Sequence, residues 1–268
     1  MKAHILLTRQ LIKLFANLTK MLSYGFHAVL PNRRFTLPER APALLRGSRR
    51  PIPRIIWQTN FTNRVTLPVY LNYLFNRLIS PTFEYRFMIT EARADFIREH
   101  YPAEIFEQYS RLQIGAAQAD FWRLLVLQKY GGVYLDIDAH AVWPLGFIIK
   151  PGHEELYIIR QNHELTNYFI ASKPDNPNLA RLIDRVWNNI RENTITGVYN
   201  LTGPGVFNQV LDYRQVPTTF YRYTCSQGSF TNEHFQYIDK PQGKWTKEQK
   251  KTDVVRQDPP PGNTSGPA

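Results

Sequence analysis

The chain of 268 residues predicts an α/β fold with a mostly parallel central sheet. Three observations support this prediction. Short apolar runs typical of strands alternate with segments of helical periodicity, a Gly-Gly pair joins the clearest predicted helix to a buried strand, and two aspartates follow that strand. A hydrophobic share of 43% and an aromatic share of 13% are typical of a folded globular protein, which excludes wholesale disorder.

The predicted elements follow from local patterns. The apolar run Ile55, Ile56, Trp57 after Pro53 is the first strand, and a later segment of alternating character predicts a second strand at 83–89. Apolar residues at helical spacing predict helices at 68–80, 91–110, 116–130 and 178–192. Gly131-Gly132 ends the third of these helices, and the strand 133–137 follows.

The net charge of +11 is concentrated at the N-terminal end of the chain. Residues 1–54 hold eleven lysines and arginines and one acid, whereas residues 55–268 hold 22 basic and 21 acidic residues. The body is therefore nearly neutral, and nucleic acid is not a predicted partner. The single cysteine, Cys225, excludes an intrachain disulfide and fits a reducing compartment.

Residues 1–53 are predicted to be a cationic amphipathic leader followed by a linker rich in Pro and Arg. Leucines at positions 7, 11, 14 and 18 recur at helical spacing, with basic residues among them. Such a helix can lie in a membrane interface with its cations near anionic headgroups, so residues 1–30 are a candidate membrane-binding segment. The alternative is a surface helix packed on the domain, and no apolar run reaches the roughly 20 residues of a spanning helix. Residues 251–268 are predicted to be a disordered tail.

Two carboxylates, Asp136 and Asp138, mark the candidate site. Alternation along the predicted strand sends both to one face, at the carboxyl end where open α/β sheets bind ligands. Like charges this close need a partner, and oxygen ligands favour Mg²⁺ or Mn²⁺ with positions left for phosphate oxygens. On the preceding helix Asp120 and Arg123 share a face. His140 is a candidate third metal ligand or acceptor contact; the alternative is a histidine with neither role.

These motifs resemble the DXD-containing sugar-binding glycosyltransferases, the family of yeast initiating α-mannosyltransferases and of bacterial capsule and lipopolysaccharide enzymes. The family pattern Ala-x-x-Ser-Asp-x-x-Arg-Tyr, a helix, then Gly-Gly-x-Tyr-x-Asp-x-Asp corresponds to residues 116–124 and 131–138. Residues 52–60, 167–174 and the turn Thr202-Gly203-Pro204 resemble further family segments, so the resemblance extends over about residues 52–245. The sequence departs from the family at four positions, which hold Ala119 for Ser, Leu124 for Tyr, Trp57 for His and Asn60 for Trp.

The resemblance implies a GT-A-like, Rossmann-type domain over residues 54–250 that binds a nucleotide sugar. It implies that Asp138 binds the metal directly, that Asp136 shares the metal and holds ribose or sugar hydroxyls, and that Asp120 and Arg123 grip the donor sugar and its phosphate. These four are the candidate catalytic residues. The implied donor contacts also include Trp57, Gln58, Tyr134, Lys244 and Trp245, the last two in a late segment that closes over the donor phosphates.

The implied activity is the retaining transfer of a hexose, with Mn²⁺ or Mg²⁺ as cofactor, from a UDP- or GDP-linked sugar to a glycan or a lipid-linked acceptor. A role in surface polysaccharide synthesis, capsule or lipopolysaccharide, is expected, with the enzyme cytoplasmic and peripheral on the inner face of a bacterial plasma membrane. Three alternatives stay open. They are a glycosyltransferase with a protein acceptor, a haloacid-dehalogenase-type phosphatase that uses the Asp-x-Asp, and a membrane or nucleic-acid adaptor whose basic leader is the active part. The phosphatase normally needs Thr or Val where His140 stands.

Overall fold

The computed structural model describes residues 2–240 and 242–257 of the chain. The helices of this part are α1 (Lys2–Val29), α2 (Leu67–Ile79), α3 (Thr90–His100), α4 (Ala103–Arg111), α5 (Gly115–Tyr130), α6 (Leu145–Ile148), α7 (Pro177–Glu192), α8 (Val198–Leu201), α9 (Pro204–Val210), α10 (Tyr221–Thr224), α11 (Glu233–Tyr237) and α12 (Trp245–Glu248). The strands are β1 (Phe35–Thr36), β2 (Arg40–Ala41), β3 (Ile55–Thr59), β4 (Arg64–Val65), β5 (Glu84–Met88), β6 (Gly132–Leu135), β7 (Ala139–Ala141), β8 (Glu155–Ile159), β9 (Leu165–Ser172), β10 (Thr218–Phe220) and β11 (Cys225–Gln227).

The centre of the molecule is a seven-stranded sheet with the order β10-β8-β9-β6-β3-β5-β2. Strands β5, β3, β6, β8 and β10 run in one direction, whereas β9 and the edge strand β2 run in the other. The prediction of a mostly parallel α/β sheet is confirmed. The sheet is mixed because β9 inserts antiparallel between β6 and β8.

Alternation along the central strands separates two hydrophobic cores, one on each face of the sheet. Trp57 and Tyr134 point into the core that α5 and α7 cover. Val133 and Leu135 point into the opposite core, which α2 covers. Burial on both faces explains why the central strands are near-continuous apolar runs in the sequence.

The connection between α5 and β6 depends on two glycines. Gly131 and Gly132 have φ values of 62° and 111°, which side-chain-bearing residues rarely adopt. A Cβ atom at Gly132 would lie 2.8 Å from the carbonyl oxygen of Ile55 on the neighbouring strand. The predicted end of the helix at Gly-Gly is therefore confirmed, and the pair lets β6 approach β3 closely.

The other predicted elements are confirmed with one exception. The segment 91–110, predicted as one helix, forms two helices, α3 and α4. The break falls at Tyr101-Pro102, where Pro102 precedes the first residue of α4. The reason is that a residue before proline avoids helical backbone angles.

The segment predicted as a linker is part of the body. Its strand β2 pairs with β5 and forms one edge of the central sheet. Leu37 and Ile52 are fully buried in the same core as Val133. The predicted boundary at residue 53 therefore does not separate two structural units.

The predicted disorder of the tail is wrong for its first seven residues. Val254 and Val255 are buried, and Val255 forms a β-bridge with Leu112. The amide nitrogen of Gln113 donates to the carbonyl oxygen of Val254 at 2.9 Å. Residues 251–257 are thus held against α4 and the start of α5, and residues 258–268 of the predicted tail lie outside the described residues.

Helix α1 packs on the body through one face and exposes an apolar stripe on the opposite face. The buried face carries Arg9, Ile12, Ala16, Ser23 and His27. The exposed stripe consists of Leu7, Leu11, Leu14, Phe15, Leu18, Met21 and Leu22. Nowhere in the described ranges is a helix both long enough and apolar enough to cross a bilayer.

Three cations of the N-terminal segment contact the body. Arg9 donates to the hydroxyl of Ser226 at 3.1 Å, and Lys20 donates to the carbonyl oxygen of Gly228 at 3.4 Å. Arg50 donates to the carbonyl oxygen of Gly146 at 2.9 Å. The positive charge of the N-terminal segment therefore serves, at these positions, to attach it to the rest of the chain.

We expect Leu37→Ala to lower the free energy of unfolding by about 2–5 kcal/mol, because it removes buried methyl groups from a packed core. Leu45 lies in the same segment but is 60% exposed, so Leu45→Ala should change this free energy by less than about 0.5 kcal/mol. Urea unfolding followed by circular dichroism measures both variants. Equal, small effects would show that residues 31–53 are a linker outside the cooperative unit.

Candidate functional site

A cavity of about 640 Å³ opens at the sheet edge where β3 and β6 end. Seven of the predicted site residues line this cavity: Asp120, Arg123, Tyr134, Asp136, Asp138, Lys244 and Trp245. Two others, Trp57 and Gln58, do not line it. The structure thus brings together residues that are up to 125 positions apart in the chain, at the edge that the fold class predicts for ligands.

The two aspartates belong to a tight turn between β6 and β7. Strand β6 ends at Leu135, two residues earlier than predicted, and the amide nitrogen of Ala139 donates to the carbonyl oxygen of Asp136 at 2.9 Å. The turn, and not strand alternation, therefore places Asp136 and Asp138 on the same side. The prediction that their carboxylates meet at the end of the strand holds for this different reason.

A single amide nitrogen shows how close the two carboxylates lie. Nε2 of Gln227 donates to Oδ2 of Asp136 at 2.8 Å and to Oδ1 of Asp138 at 3.1 Å. The register of β11 against β7 places Gln227 opposite Ala139, directly beyond Asp138. One donor can therefore serve both acids, and a cation at this point would contact both as well.

Buried amides hold the backbone of this turn. Gln58 donates to the carbonyl oxygen of Asp136 at 2.9 Å, and Asn72 donates to those of Ile137 and Ala139 at 2.9 and 3.0 Å. Asn76, one helical turn after Asn72 on α2, donates to the carbonyl oxygen of Ala139 at 2.9 Å. Because buried carbonyls need partners, these three side chains determine where the turn sits. Gln58, predicted to contact the donor, is thus a positioning residue.

Asp120 and Arg123 form a buried ion pair beside the turn. Nη2 of Arg123 lies 2.8 Å from Oδ1 of Asp120, and Nη1 lies 3.3 Å from Oδ1 of Asp136. Asn167 and Thr202 complete the coordination of Asp120 by donating to its two oxygens at 2.9 and 3.1 Å. The guanidinium also lies over the ring of Tyr134, 4.2 Å from its centroid. Arg123 therefore links the helix α5 to the carboxylate pair.

The surroundings of these acids disfavour their charged forms. Burial raises the pKa of Asp120 to about 7, against the opposing effect of Arg123, and the negative charge of Asp136 adds to the rise. Burial and the charge of Asp136 likewise raise the pKa of Asp138 to about 6, although hydrogen bonds from Gln236 and Gln227 act in the other direction. The cluster thus has more negative charge than its single buried arginine compensates, which is a site suited to a further cation.

The donor set fits Mg²⁺ or Mn²⁺ bound together with a diphosphate. Asp136 and Asp138 supply hard oxygen ligands that converge on one point. Within the described residues no group of three or more His, Cys, Asp and Glu side chains is placed to hold a metal. A site with one or two carboxylates, completed by phosphate oxygens and water, is the usual arrangement for Mg²⁺ with nucleotides.

Two predicted contacts are corrected by the structure. Trp57 is 0% exposed, stacks on Tyr130 and donates from Nε1 to the carbonyl oxygen of Gly131 at 2.9 Å, so it belongs to the core and not to a nucleotide site. His140 is buried between the rings of Phe75 and Phe230, away from the cavity lining. Burial lowers the pKa of His140 to about 4, so the ring is neutral, but it is not a third ligand of the carboxylate pair.

The late segment of the chain forms part of the wall of the cavity. Lys244 and Trp245 line it together with Tyr237 and Lys240. Nζ of Lys240 pairs with Glu248 at 3.0 Å, and Nζ of Lys244 lies 3.4 Å from Glu233. Lys244 and Trp245 thus line the same cavity as the carboxylate pair, and their predicted contact with the donor phosphates stays a prediction.

Sequence reasoning missed four residues of the site: Gln227, Asn167, Asn72 and Asn76. The two asparagines of α2 carry a signal, because they are polar residues four apart on an otherwise apolar helix face. Asn167 begins the segment 167–174, whose family resemblance was a signal that did not identify its role. Gln227 carries no signal, since only the pairing of distant strands brings it to the turn.

Comparison with known proteins places most of the site residues in a segment similar to a known family. Residues 68–163 match the protein family described as the glycosyltransferase sugar-binding region containing a DXD motif. This part of the chain is therefore similar to the DXD glycosyltransferase region. It contains Asp120, Arg123, Asp136 and Asp138, so the resemblance deduced from the sequence is confirmed.

Two curated relatives are similar over part of their length. An uncharacterised glycosyltransferase of Acanthamoeba polyphaga mimivirus is 30% identical over 163 residues, which are 58% of this chain and 63% of the relative. An inositol phosphoceramide mannosyltransferase of Schizosaccharomyces pombe is 34% identical over 87 residues, 32% of this chain and 24% of the relative. The matched regions thus span less than two thirds of these relatives.

A solved structure is similar in fold. The PaToxG glycosyltransferase superposes with a TM-score of 0.51 at 18% sequence identity, over 78% of this chain and 80% of that chain. At this identity the likeness establishes the fold. The predicted GT-A-like α/β class is confirmed.

The burial of the Asp120–Arg123 ion pair can be tested by mutation. We expect Arg123→Met to lower the free energy of unfolding by about 3–5 kcal/mol, because it leaves a buried carboxylate without its cation. Arg98 forms an ion pair of the same i,i+3 spacing with Asp95, but on the surface. Arg98→Met should therefore cost less than about 1 kcal/mol. Guanidinium unfolding compares the two variants, and similar losses would contradict the role given to burial.

Proposed function

We propose that the protein is a metal-dependent glycosyltransferase that moves a hexose from a UDP- or GDP-linked donor to an acceptor hydroxyl with retention. The observation that carries this proposal is the meeting of Asp136 and Asp138 on one nitrogen of Gln227, within the DXD region and beside Arg123. A surface polysaccharide, capsule or lipopolysaccharide, is the proposed product, on the basis of the family resemblance.

The site's charges suit the departure of a nucleoside diphosphate. Asp138 and Asp136 would hold Mn²⁺ or Mg²⁺, which neutralises the diphosphate when bound. Lys240, Lys244 and Arg123 line the cavity and offer cationic donors for the diphosphate, with the two lysines each paired to a glutamate before the donor binds. Because these groups are held in place before the donor binds, they stabilise the leaving group without a separate general acid.

The proposed reaction breaks the bond between the anomeric carbon and the diphosphate oxygen, whose electron pair leaves with the diphosphate. The acceptor hydroxyl oxygen forms the new bond to that carbon from the same face. Its proton passes to an oxygen of the departing diphosphate. This course retains the anomeric configuration and requires no covalent intermediate with the protein.

The phosphatase alternative is not favoured. A haloacid-dehalogenase-type enzyme uses the first aspartate of Asp-x-Asp as a free nucleophile. Here the carboxylate of Asp136 accepts hydrogen bonds from Tyr134 and Gln227 and pairs with Arg123, so both of its oxygens are engaged. The family match of the same segment is to glycosyltransferases.

Asp138→Asn should lower the rate of Mn²⁺-dependent sugar transfer by roughly 10²–10³-fold or more, because the metal loses its principal ligand. The assay incubates the full chain with a panel of UDP- and GDP-sugars and Mn²⁺ and measures release of the nucleoside diphosphate. Thermal unfolding with and without Mn²⁺ and UDP or GDP reports binding separately, since a bound ligand raises the midpoint.

Asp184 on α7 is exposed and remote from the cavity, so Asp184→Asn is the matched control and should keep both activity and stabilisation by Mn²⁺. Full transfer by Asp138→Asn, with a folded protein, would refute the metal assignment.

For localisation, we propose that α1 lies on the inner surface of a bacterial plasma membrane with its apolar stripe inserted. What supports this is the arrangement of the helix: the stripe runs along the side opposite the packed face, as in interfacial helices. The composition had suggested that the basic residues attract this helix to anionic headgroups. Arg9 and Lys20 contact the body, so apolar insertion and not charge attraction is the proposed driving force.

Replacing Leu14 and Leu18 by Glu should reduce binding to phospholipid vesicles at least tenfold, because it places two charges in the inserted face. Leu78, an equally exposed leucine on α2, provides the control substitution Leu78→Glu, which should bind like the wild type. Vesicle co-sedimentation makes the comparison. If the wild type fails to sediment, or instead forms a dimer through the stripe, the membrane proposal is wrong.

A further inference from the structure

A second, smaller cavity lies beside the donor cavity. Its volume is about 500 Å³, and Arg160, Tyr168 and Gln227 line both cavities. Gln227 is the side chain that bridges Asp136 and Asp138, so one residue lines the second cavity and contacts the carboxylate pair. A molecule in it would therefore reach the reaction centre of the proposed transferase.

The charge of this second cavity is entirely positive. Arg9 and Lys13 from α1 and Arg160 from the end of β8 line it, and the lining includes no Asp or Glu. The other side chains along its wall carry hydroxyl or amide groups. Three cations with hydrogen-bonding neighbours form a site for an anion.

Of the three cations, Arg9 gives the strongest evidence for an anion site. Its side chain is only 8% exposed, and its Nε donates to the neutral hydroxyl of Ser226 at 3.1 Å. No carboxylate of residues 2–240 or 242–257 forms an ion pair with it. A buried guanidinium without a counter-charge is unfavourable, and an anionic ligand would compensate it.

Lys13 and Arg160 add to this charge. Lys13 lies one helical turn after Arg9, and Arg160 projects from the β8–β9 connection. Within the described residues neither side chain has a carboxylate at ion-pairing distance. The acid closest in sequence to Arg160 is Glu164, which lines the donor cavity and not the smaller one.

We infer that the second cavity is the acceptor subsite and that it takes a phosphate-bearing acceptor. The phosphate would bind Arg9, Lys13 and Arg160, and an acceptor hydroxyl would extend past Gln227 toward the donor sugar. This inference rests on the proposed transferase function. It adds the chemical class of the acceptor and gives the two cations of α1 a role in substrate binding.

The phosphate ester has two possible sources, a lipid and a soluble molecule. Both share the anionic group that the three cations recognise. The position of Arg9 and Lys13 on α1, whose opposite side carries the apolar stripe, would set the cavity near the headgroups of a membrane on which α1 lies. A soluble phosphate ester would bind without any contribution from that stripe.

The test measures binding without turnover, so that it does not depend on knowing the donor. Glycerol 3-phosphate is titrated into the full-length protein by calorimetry, with glycerol as the uncharged comparison. Lys13→Gln, at a side chain that lines only the smaller cavity, should weaken binding about tenfold, and Lys13→Gln with Arg160→Gln should weaken it further. Arg185→Gln, on the exposed face of α7, is the matched control and should bind like the wild type.

Two further titrations separate this site from the donor site. Asp138→Asn should keep its affinity for glycerol 3-phosphate, which would hold even if the proposed transferase function failed. Lys13→Gln should keep the wild-type affinity for UDP or GDP with Mn²⁺. If Lys13→Gln weakens nucleotide and glycerol 3-phosphate equally, the cations belong to the donor site and the inference is overturned.

Vesicles of phosphatidylcholine with phosphatidic acid distinguish the two sources. A lipid acceptor predicts vesicle binding that is weakened both by Lys13→Gln with Arg160→Gln and by charges in the apolar stripe. A soluble acceptor predicts glycerol 3-phosphate binding that the stripe variant leaves unchanged. Wild-type protein that binds neither probe, or a double variant that binds both as the wild type does, would refute the acceptor subsite.

Discussion

Two carboxylates within reach of one amide nitrogen repel each other, and much of the structure around Asp136 and Asp138 serves to hold them there. The turn that carries them has its carbonyl groups bound by side chains from β3 and α2. Arg123 supplies one buried positive charge. The remaining excess of negative charge is what makes the cluster a candidate cation site, so the same constraint that destabilises the site locally also suits it to a metal and a diphosphate.

The N-terminal segment connects this site to the surface. It contributes an edge strand and core residues to the body. Its helix α1 brings Arg9 and Lys13 to a cavity that Gln227, the bridge between the two carboxylates, also lines. Composition alone associates its positive charge with membranes, but two of its cations, Arg9 and Lys20, contact the body. The apolar stripe and the cationic cavity therefore lie on opposite sides of one helix, where a single segment can serve both membrane contact and substrate binding.

Features that depend on residues close together in the chain could be predicted from the sequence, whereas features that depend on distant segments could not. Helix α5, its end at Gly131-Gly132, the buried strand β6 and the aspartate pair depend on neighbours in the chain, and all were predictable. Residues whose roles depend on distant pairing were not: Gln227 reaches the site only through the register of β11 with β7. The same reason explains Trp57, where the aromatic type suggested stacking on a base, but the neighbouring strands and Tyr130 enclose it completely.

We propose that Asp136 and Asp138 bind a divalent cation at the point that Gln227 now bridges. A crystal grown with Mn²⁺ and UDP or GDP, with data collected at the manganese absorption edge, tests it most directly. We expect one anomalous peak about 2 Å from a carboxylate oxygen of Asp138, in contact with the diphosphate, and an amide of Gln227 displaced from between the two acids. An anomalous peak bound elsewhere, with the Gln227 bridge intact and the diphosphate in the cavity, would contradict it.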